Sequence, residues 1–137
     1  MSSVLVDTNI LIYGIDEDSA FYKRARKILG QENNQLVTTS KNLIEFLAVT
    51  TKSLGYNLSN ETALEIIEEI IQGIDIIYPT QESMAIFLDL MNRYQPKGLK
   101  VHDFEIISIG LAHGVQEVAT FNTKDFKSVK EISLVEI

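Results

Sequence analysis

The chain of 137 residues has the length of one domain, and 45% apolar with 23% charged residues is the balance of an ordinary folded protein with its own core. The absence of cysteine excludes disulfides and thiolate metal sites, leaving oxygen donors and two histidines, His102 and His113, for any metal. A formal net charge of −7 argues against general coating of nucleic acid, which relies on Lys and Arg to neutralise phosphates, but a bound divalent ion would reverse the local sign of an acidic pocket.

No apolar run reaches the roughly 18 residues needed to cross a membrane, and Val4–Val6 is too short for the apolar centre of a secretion signal. The cytoplasm is therefore the expected compartment, with no membrane partner.

In chain order, Val4–Val6 reads as a buried strand that gives way at Asp7 to a short helix from Asn9 to Tyr13. Phe21–Leu29 has helical spacing. Leu36–Thr38 is a second strand, running into Thr39 and Ser40, and Ser40 is the expected cap of a helix over Lys41–Leu54. Ser59 caps a helix over Asn60–Gln72, Ile74–Ile77 is a third strand, and Thr80 caps a helix over Gln81–Tyr94. Asp103–His113 is a further, mostly apolar helix. Val118–Phe121 and Ile132–Val135 complete the strands. Gly55, Gly73, Gly98 and Gly114 fall at or near segment ends, where left-handed caps are expected. Strands alternating with helices predict an α/β three-layer sandwich: one domain over residues 1–137, with a central, mostly parallel sheet of four to five strands flanked by helices.

In an open α/β sheet, ligands gather beyond the carboxyl ends of the strands. Asp7 stands at such an end, where a buried carboxylate is costly unless something pairs with it, so it is the first candidate metal ligand. Glu45 interrupts the apolar run Leu43–Val49, and Asp103 opens its helix. Each also has a plainer reading: Glu45 as the solvent face of an amphipathic helix, Asp103 as a charge favoured by the helix dipole. Thr8, Asn9, Ser40, Thr120, Asn122 and Asp125 lie at the ends of three strands, where small polar groups would line the pocket and orient its acids. Carboxylates around one or two divalent ions, Mg²⁺ or Mn²⁺, can activate water and stabilise charge on a phosphodiester in transit. Basic residues cluster at Lys23, Arg24, Arg26 and Lys27, at Arg93, Lys97 and Lys100, and at Lys124, Lys127 and Lys130. They read as solvated helix faces or as local contacts for phosphate.

Four segments together resemble the PIN-domain family, and in size and organisation the VapC-type toxins of toxin–antitoxin pairs: VDTNILIY at 6–13, LIEFLAV at 43–49, HDFEIISIGLAHG at 102–114 and VATFNTKDF at 118–126. The resemblance covers essentially the whole chain. It implies a Mg²⁺- or Mn²⁺-dependent ribonuclease in which Asp7, Glu45 and Asp103 are the acidic metal-site residues. It also implies a homodimer and an antitoxin laid over the active-site groove. Many members carry an acid where this chain has Asn122, which favours one metal over two and a structural role for Asp125 at the turn before Phe126. His102 is expected to be a surface or supporting group rather than a metal ligand, and His113 is given no chemistry.

The apolar segment from Leu58 to Ile77 is expected to serve the core or a second copy of the chain. A receiver module would want an acid after the third strand, where this chain has Tyr78-Pro79-Thr80; a haloacid-dehalogenase type enzyme would want Asp-x-Asp, and here Asn9 follows Asp7-Thr8. A catalytically weak or inactive RNA- or protein-binding module is the remaining alternative.

Overall fold

Val4, Leu5 and Val6 are each at most 1% exposed, and their alternation sends Val4 and Val6 into one apolar cluster and Leu5 into another. A strand buried on both faces belongs at the centre of a parallel sheet. In the computed structural model, which describes residues 2–137, it does: β1 (Ser3–Val6) lies between β2 (Gln35–Thr39) and β4 (Glu117–Ala119). Adding β3 (Asp75–Ile77) and β5 (Ser133–Leu134) gives five strands in the order β3-β2-β1-β4-β5, all parallel.

Helices α1 (Thr8–Tyr13), α2 (Tyr22–Leu29), α3 (Ser40–Thr50) and α4 (Asn60–Gly73) supply the cluster that holds Val4, Val6, Ile10, Ile28 and Phe46. Helices α5 (Gln81–Tyr94), α6 (Lys100–Ala112) and α7 (Thr123–Phe126) supply the opposite one, around Leu5, Leu90, Phe104, Ile107 and Phe126. The result is the three-layer sandwich expected from the alternation of elements. The close approach of α6 to the sheet needs Gly110, where a Cβ would stand 3.3 Å from Leu5 Cδ2.

Several boundaries moved for local physical reasons. The third helix stops at Thr50 rather than Leu54: the Thr50 and Thr51 hydroxyls bond back to the Phe46 and Leu47 carbonyls, and Leu54 is 95% exposed with no core to reach. Its cap is Thr39, not Ser40. Helix α6 begins three residues before Asp103, and β4 ends at Ala119, where Thr120 and Phe121 turn to bond with α1. Gly98 and Gly114 take positive φ (63° and 75°), but Gly55 lies in a turn and Gly73 ends α4 without one. In the apolar segment from Leu58, Ile66, Ile67, Ile70 and Ile74 serve the core, leaving Leu64 and Ile71 exposed on α4.

Candidate active site

The chain reverses direction across the sheet at β1, since β2 lies on one side of it and β4 on the other. The crevice beyond the carboxyl ends at such a reversal is the natural ligand position. Leu5 pairs with Val37 and Val118, and Val6 with Ala119, so Asp7, Thr39 and Thr120 stand level where the three strands end.

Asp7 is 7% exposed and caps α1. Its Oδ1 accepts from the Thr8 backbone N–H (2.8 Å) and from Asn42 Nδ2 (3.3 Å). Its Oδ2 accepts from Thr120 Oγ1 (2.8 Å) and Asn9 Nδ2 (3.5 Å). These bonds favour the anion, yet burial outweighs them and holds the Asp7 pKa above the usual carboxylate range, with the Glu45 charge adding to the rise. Asn9 also donates to Thr120 Oγ1 (3.1 Å) and accepts from the Phe121 N–H (3.2 Å), which ties the start of α1 to the end of β4.

Asn42 is the site residue that the sequence reading missed. It is fully buried and sits at the third position of α3. Its Oδ1 accepts from the Thr39 N–H and hydroxyl (3.2 and 2.6 Å), while its own N–H bonds back to Thr39 Oγ1 (3.1 Å). That reciprocal cap fixes the amide so that Nδ2 donates to Asp7 and to Thr8 Oγ1 (2.9 Å). The Thr8 hydroxyl is then free to donate to Glu45 Oε2 (3.1 Å). One hydrogen-bonded chain therefore runs from Thr39 through Asn42 and Thr8 to Glu45. The signal for it was the Thr39-x-x-Asn42 spacing.

Glu45 and Asp103 line a cleft of about 610 Å³ together with Asn122 and Asp125. Burial pushes the Asp103 pKa from 3.8 up to about 7, and the negative charges of Asp7, Asp125 and Glu45 push the same way, offset in part by Lys100. Asp125 is thus part of the acidic group as well as a turn residue; it accepts from Asn122 Nδ2 at 2.6 Å. Ser40 opens α3 but does not line this cleft, whereas His102 does. His113 Nδ1 stands 2.9 Å from the Ile109 carbonyl at the end of α6. Among the basic clusters, Arg24 lies over the Phe21 and Phe121 rings (5.1 Å to each centroid), and Arg93 bridges Asp89 and Glu131 (3.0 and 2.5 Å). Those two arginines are occupied in packing and pairing; Lys100 lies in the cleft.

Among the described residues, no three carboxylate or imidazole groups stand close enough to enclose a metal ion unaided. The donor chemistry still fits a hard divalent cation: the candidate ligands are all oxygen, and their carboxylates repel one another, as the upward push of Asp7, Asp125 and Glu45 on Asp103 shows.

Two outcomes are expected from this electrostatic arrangement. Native Asp103 keeps its proton up to about pH 7, while the unfolded chain releases it near pH 4. The native state then binds more protons between those values, so metal-free stability falls as pH rises through this window and stays low above it. The upward shift of Asp7 acts in the same direction. Thermal melts in EDTA should give a Tm at pH 8 several degrees below that at pH 5, and Mn²⁺ should narrow the gap. Thr120→Val removes the 2.8 Å bond to Asp7 Oδ2. It should weaken Mn²⁺ binding by about tenfold, the usual cost of losing a group that orients a ligand, as read by calorimetry.

The all-parallel sheet and the acids at its switch point define an α/β protein of PIN-like fold. The chain belongs to the PIN-domain family, whose model matches residues 4–132. It is similar to a chain of VapBC2 from Rickettsia felis, solved bound to a promoter DNA fragment, with 20% identity, 97% of each chain covered and a TM-score of 0.74. It is similar to a chain of FitAcB from Neisseria gonorrhoeae, with 17% identity, 97% of this chain and 96% of that one covered, and a TM-score of 0.75. It is also similar to VapC20 from Mycobacterium tuberculosis, a Sarcin-Ricin loop cleaving toxin, with 12% identity, 91% and 94% coverage and a TM-score of 0.72. At these identities the likeness is one of fold. No curated protein sequence matches the chain significantly.

Proposed function

We propose that the protein is a metal-dependent ribonuclease that hydrolyses RNA phosphodiester bonds, the toxin of a VapC-type toxin–antitoxin pair, acting as one domain over residues 1–137. The observation that carries this reading is the convergence of Asp7, Glu45, Asp103 and Asp125 at the switch point, with the Asp103 pKa raised to about 7 by burial and by its acidic neighbours. Such a group is destabilising unless a cation joins it. Family membership and the RNA-cleaving VapC20 fold relative support the same chemistry.

Asp7, Asp103 and Glu45 would hold the ion, Mg²⁺ or Mn²⁺. That ion would stabilise charge on the phosphate and make a water acidic enough to act as the nucleophile at neutral pH. Thr120 and Asn42 fix both oxygens of Asp7, and Thr8 orients Glu45, so each of these two acids is held in one orientation. Asn9 joins α1 to β4 and supports the pocket. Asn122 positions Asp125 at the mouth of the cleft, and Lys100 is placed to receive a phosphate oxygen. Ser40 supports the pocket only through its place at the start of α3.

The likeness to chains of VapBC2 and FitAcB supports an antitoxin as partner; action in the cytoplasm and assembly as a homodimer are part of the same proposal. The exposed Leu64 and Ile71 face of α4 is compatible with such assembly, and light scattering of the isolated protein should give twice the chain mass.

The test is a Mn²⁺ titration by calorimetry on wild type and Asp7→Asn, paired with cleavage of total RNA with and without EDTA. Metal binding and EDTA-sensitive cleavage in wild type, both lost in the variant, are expected. A wild type that binds no metal at millimolar ion, with or without RNA, would overturn the enzyme reading in favour of a binding module.

A further inference from the structure

The cleft that holds the acids extends beyond them. Ile44 and Leu99, on its lining, are 63% and 85% exposed, and Ala48 and Ile106 lie with them. Single exposed apolar residues are common, but here several share one cleft with a cluster of carboxylates. Lys41 and Glu105 line the same space and face each other from α3 and α6, with Lys41 Nζ 3.7 Å from Glu105 Oε2. Both remain partly exposed, with 46% and 31% of their side-chain surface accessible, so the pair is open to a ligand.

Sequence spacing relates this apolar part to the acids. Lys41 lies four residues before Glu45 on α3, and Leu99, the cap of α6, four residues before Asp103, an offset of about 6 Å along each helix axis. A phosphate at the acids would carry its ribose and base outward over a comparable reach. The ligand that combines a phosphate with an adjoining flat apolar ring edged by donors and acceptors is a nucleotide in a single strand.

We propose that the part of the cleft formed by Ile44, Ala48 and Leu99, with Lys41 and Glu105 at its polar side, holds one unpaired nucleobase of the RNA beside the phosphate bound at the acids. The proposal rests on the ribonuclease reading above. Aliphatic side chains cover the faces of the ring, which is tolerant of sequence, while the ammonium and the carboxylate meet the base edge as donor and acceptor, which is not.

The experiment is fluorescence anisotropy of labelled oligo(A), oligo(C), oligo(G) and oligo(U) with the full chain. It compares wild type, Leu99→Ser and Glu105→Gln, with Mn²⁺ calorimetry and cleavage read on the same preparations. Leu99 is so exposed that its replacement leaves the fold intact. Leu99→Ser should weaken binding of all four oligonucleotides by about fivefold or more, as loss of a base-stacking surface does. Glu105→Gln should change their rank order, and both variants should keep wild-type Mn²⁺ affinity. Wild-type affinity and rank order in both variants would overturn the proposal and leave the apolar surface to a protein partner. A wild type that binds with base preference yet never cleaves would support the base site and overturn the ribonuclease reading.

Discussion

Asp103→Asn should be more stable than the wild type and almost inactive. The amide keeps the shape of the side chain while removing a charge that burial and three neighbouring acids oppose. In a sealed site the rise from 3.8 to about 7 would correspond to about 4 kcal/mol. With Asp103 half-buried and open to solvent on the cleft side, about 1–2 kcal/mol of this remains. The metal-free variant should therefore melt about 3–6 °C above wild type at pH 8 and near the wild type at pH 5, where both side chains are neutral. RNA cleavage should fall by at least about a hundredfold, because the group lost is one that would bind the ion stabilising the transition state. A site that is costly to fold and needed for chemistry gives this opposition of stability and activity. Equal or lower stability at pH 8 would show that Asp103 is not held against its charge.

Asn42→Ala should produce the largest loss of stability among the polar residues of the site. The side chain is fully buried and takes part in four hydrogen bonds: two with Thr39 at the start of α3, and one each with Asp7 and Thr8 across the crevice. Its removal leaves a buried carboxylate oxygen with one donor fewer, takes away half of a capping box, and opens a space at the junction of β2, α3 and α1. Together these should cost about 2–4 kcal/mol in urea unfolding, within the range for a lost cap plus a buried group left unsatisfied. Mn²⁺ affinity should fall as well, since Asp7 and Thr8 both lose their orientation. Asn42→Asp should be worse at pH 8 than at pH 5, because it sets a second carboxylate against Asp7. A change below 0.5 kcal/mol in Asn42→Ala, on the scale of ordinary surface substitutions, would show the network to be incidental.

The elements were legible because their signals are local. Apolar runs of three or four residues marked the strands, and Ser59 and Thr80 marked helix starts that the structure places at the same residues. Where several residues offered the same chemistry, tertiary contacts chose among them. Thr38, Thr39 and Ser40 each present a hydroxyl: Thr38 bonds the Val6 carbonyl across the sheet, and Thr39 is selected as the cap because Asn42 bonds back to it. Asn42 itself was readable only as a Thr-x-x-Asn spacing, with an amide in the place where a longer Glu or Gln is usual. The four-residue α7 was hidden in what reads as a turn, too short for any periodicity to show.

Residue type and short-range spacing are enough to set the alternation of strands and helices, the absence of thiolate ligands, and which carboxylates stand at strand ends and helix starts. What those carboxylates are to one another depends on how the chain packs. The strand order β3-β2-β1-β4-β5 sets residues more than a hundred positions apart, such as Asp7 and Thr120, within 2.8 Å. It also brings Asp125 into electrostatic reach of Asp103, and Lys41 to Glu105 across the cleft. Desolvation and charge repulsion act through space and depend on burial, so a raised carboxylate pKa and a shared cleft exist only after the chain has folded.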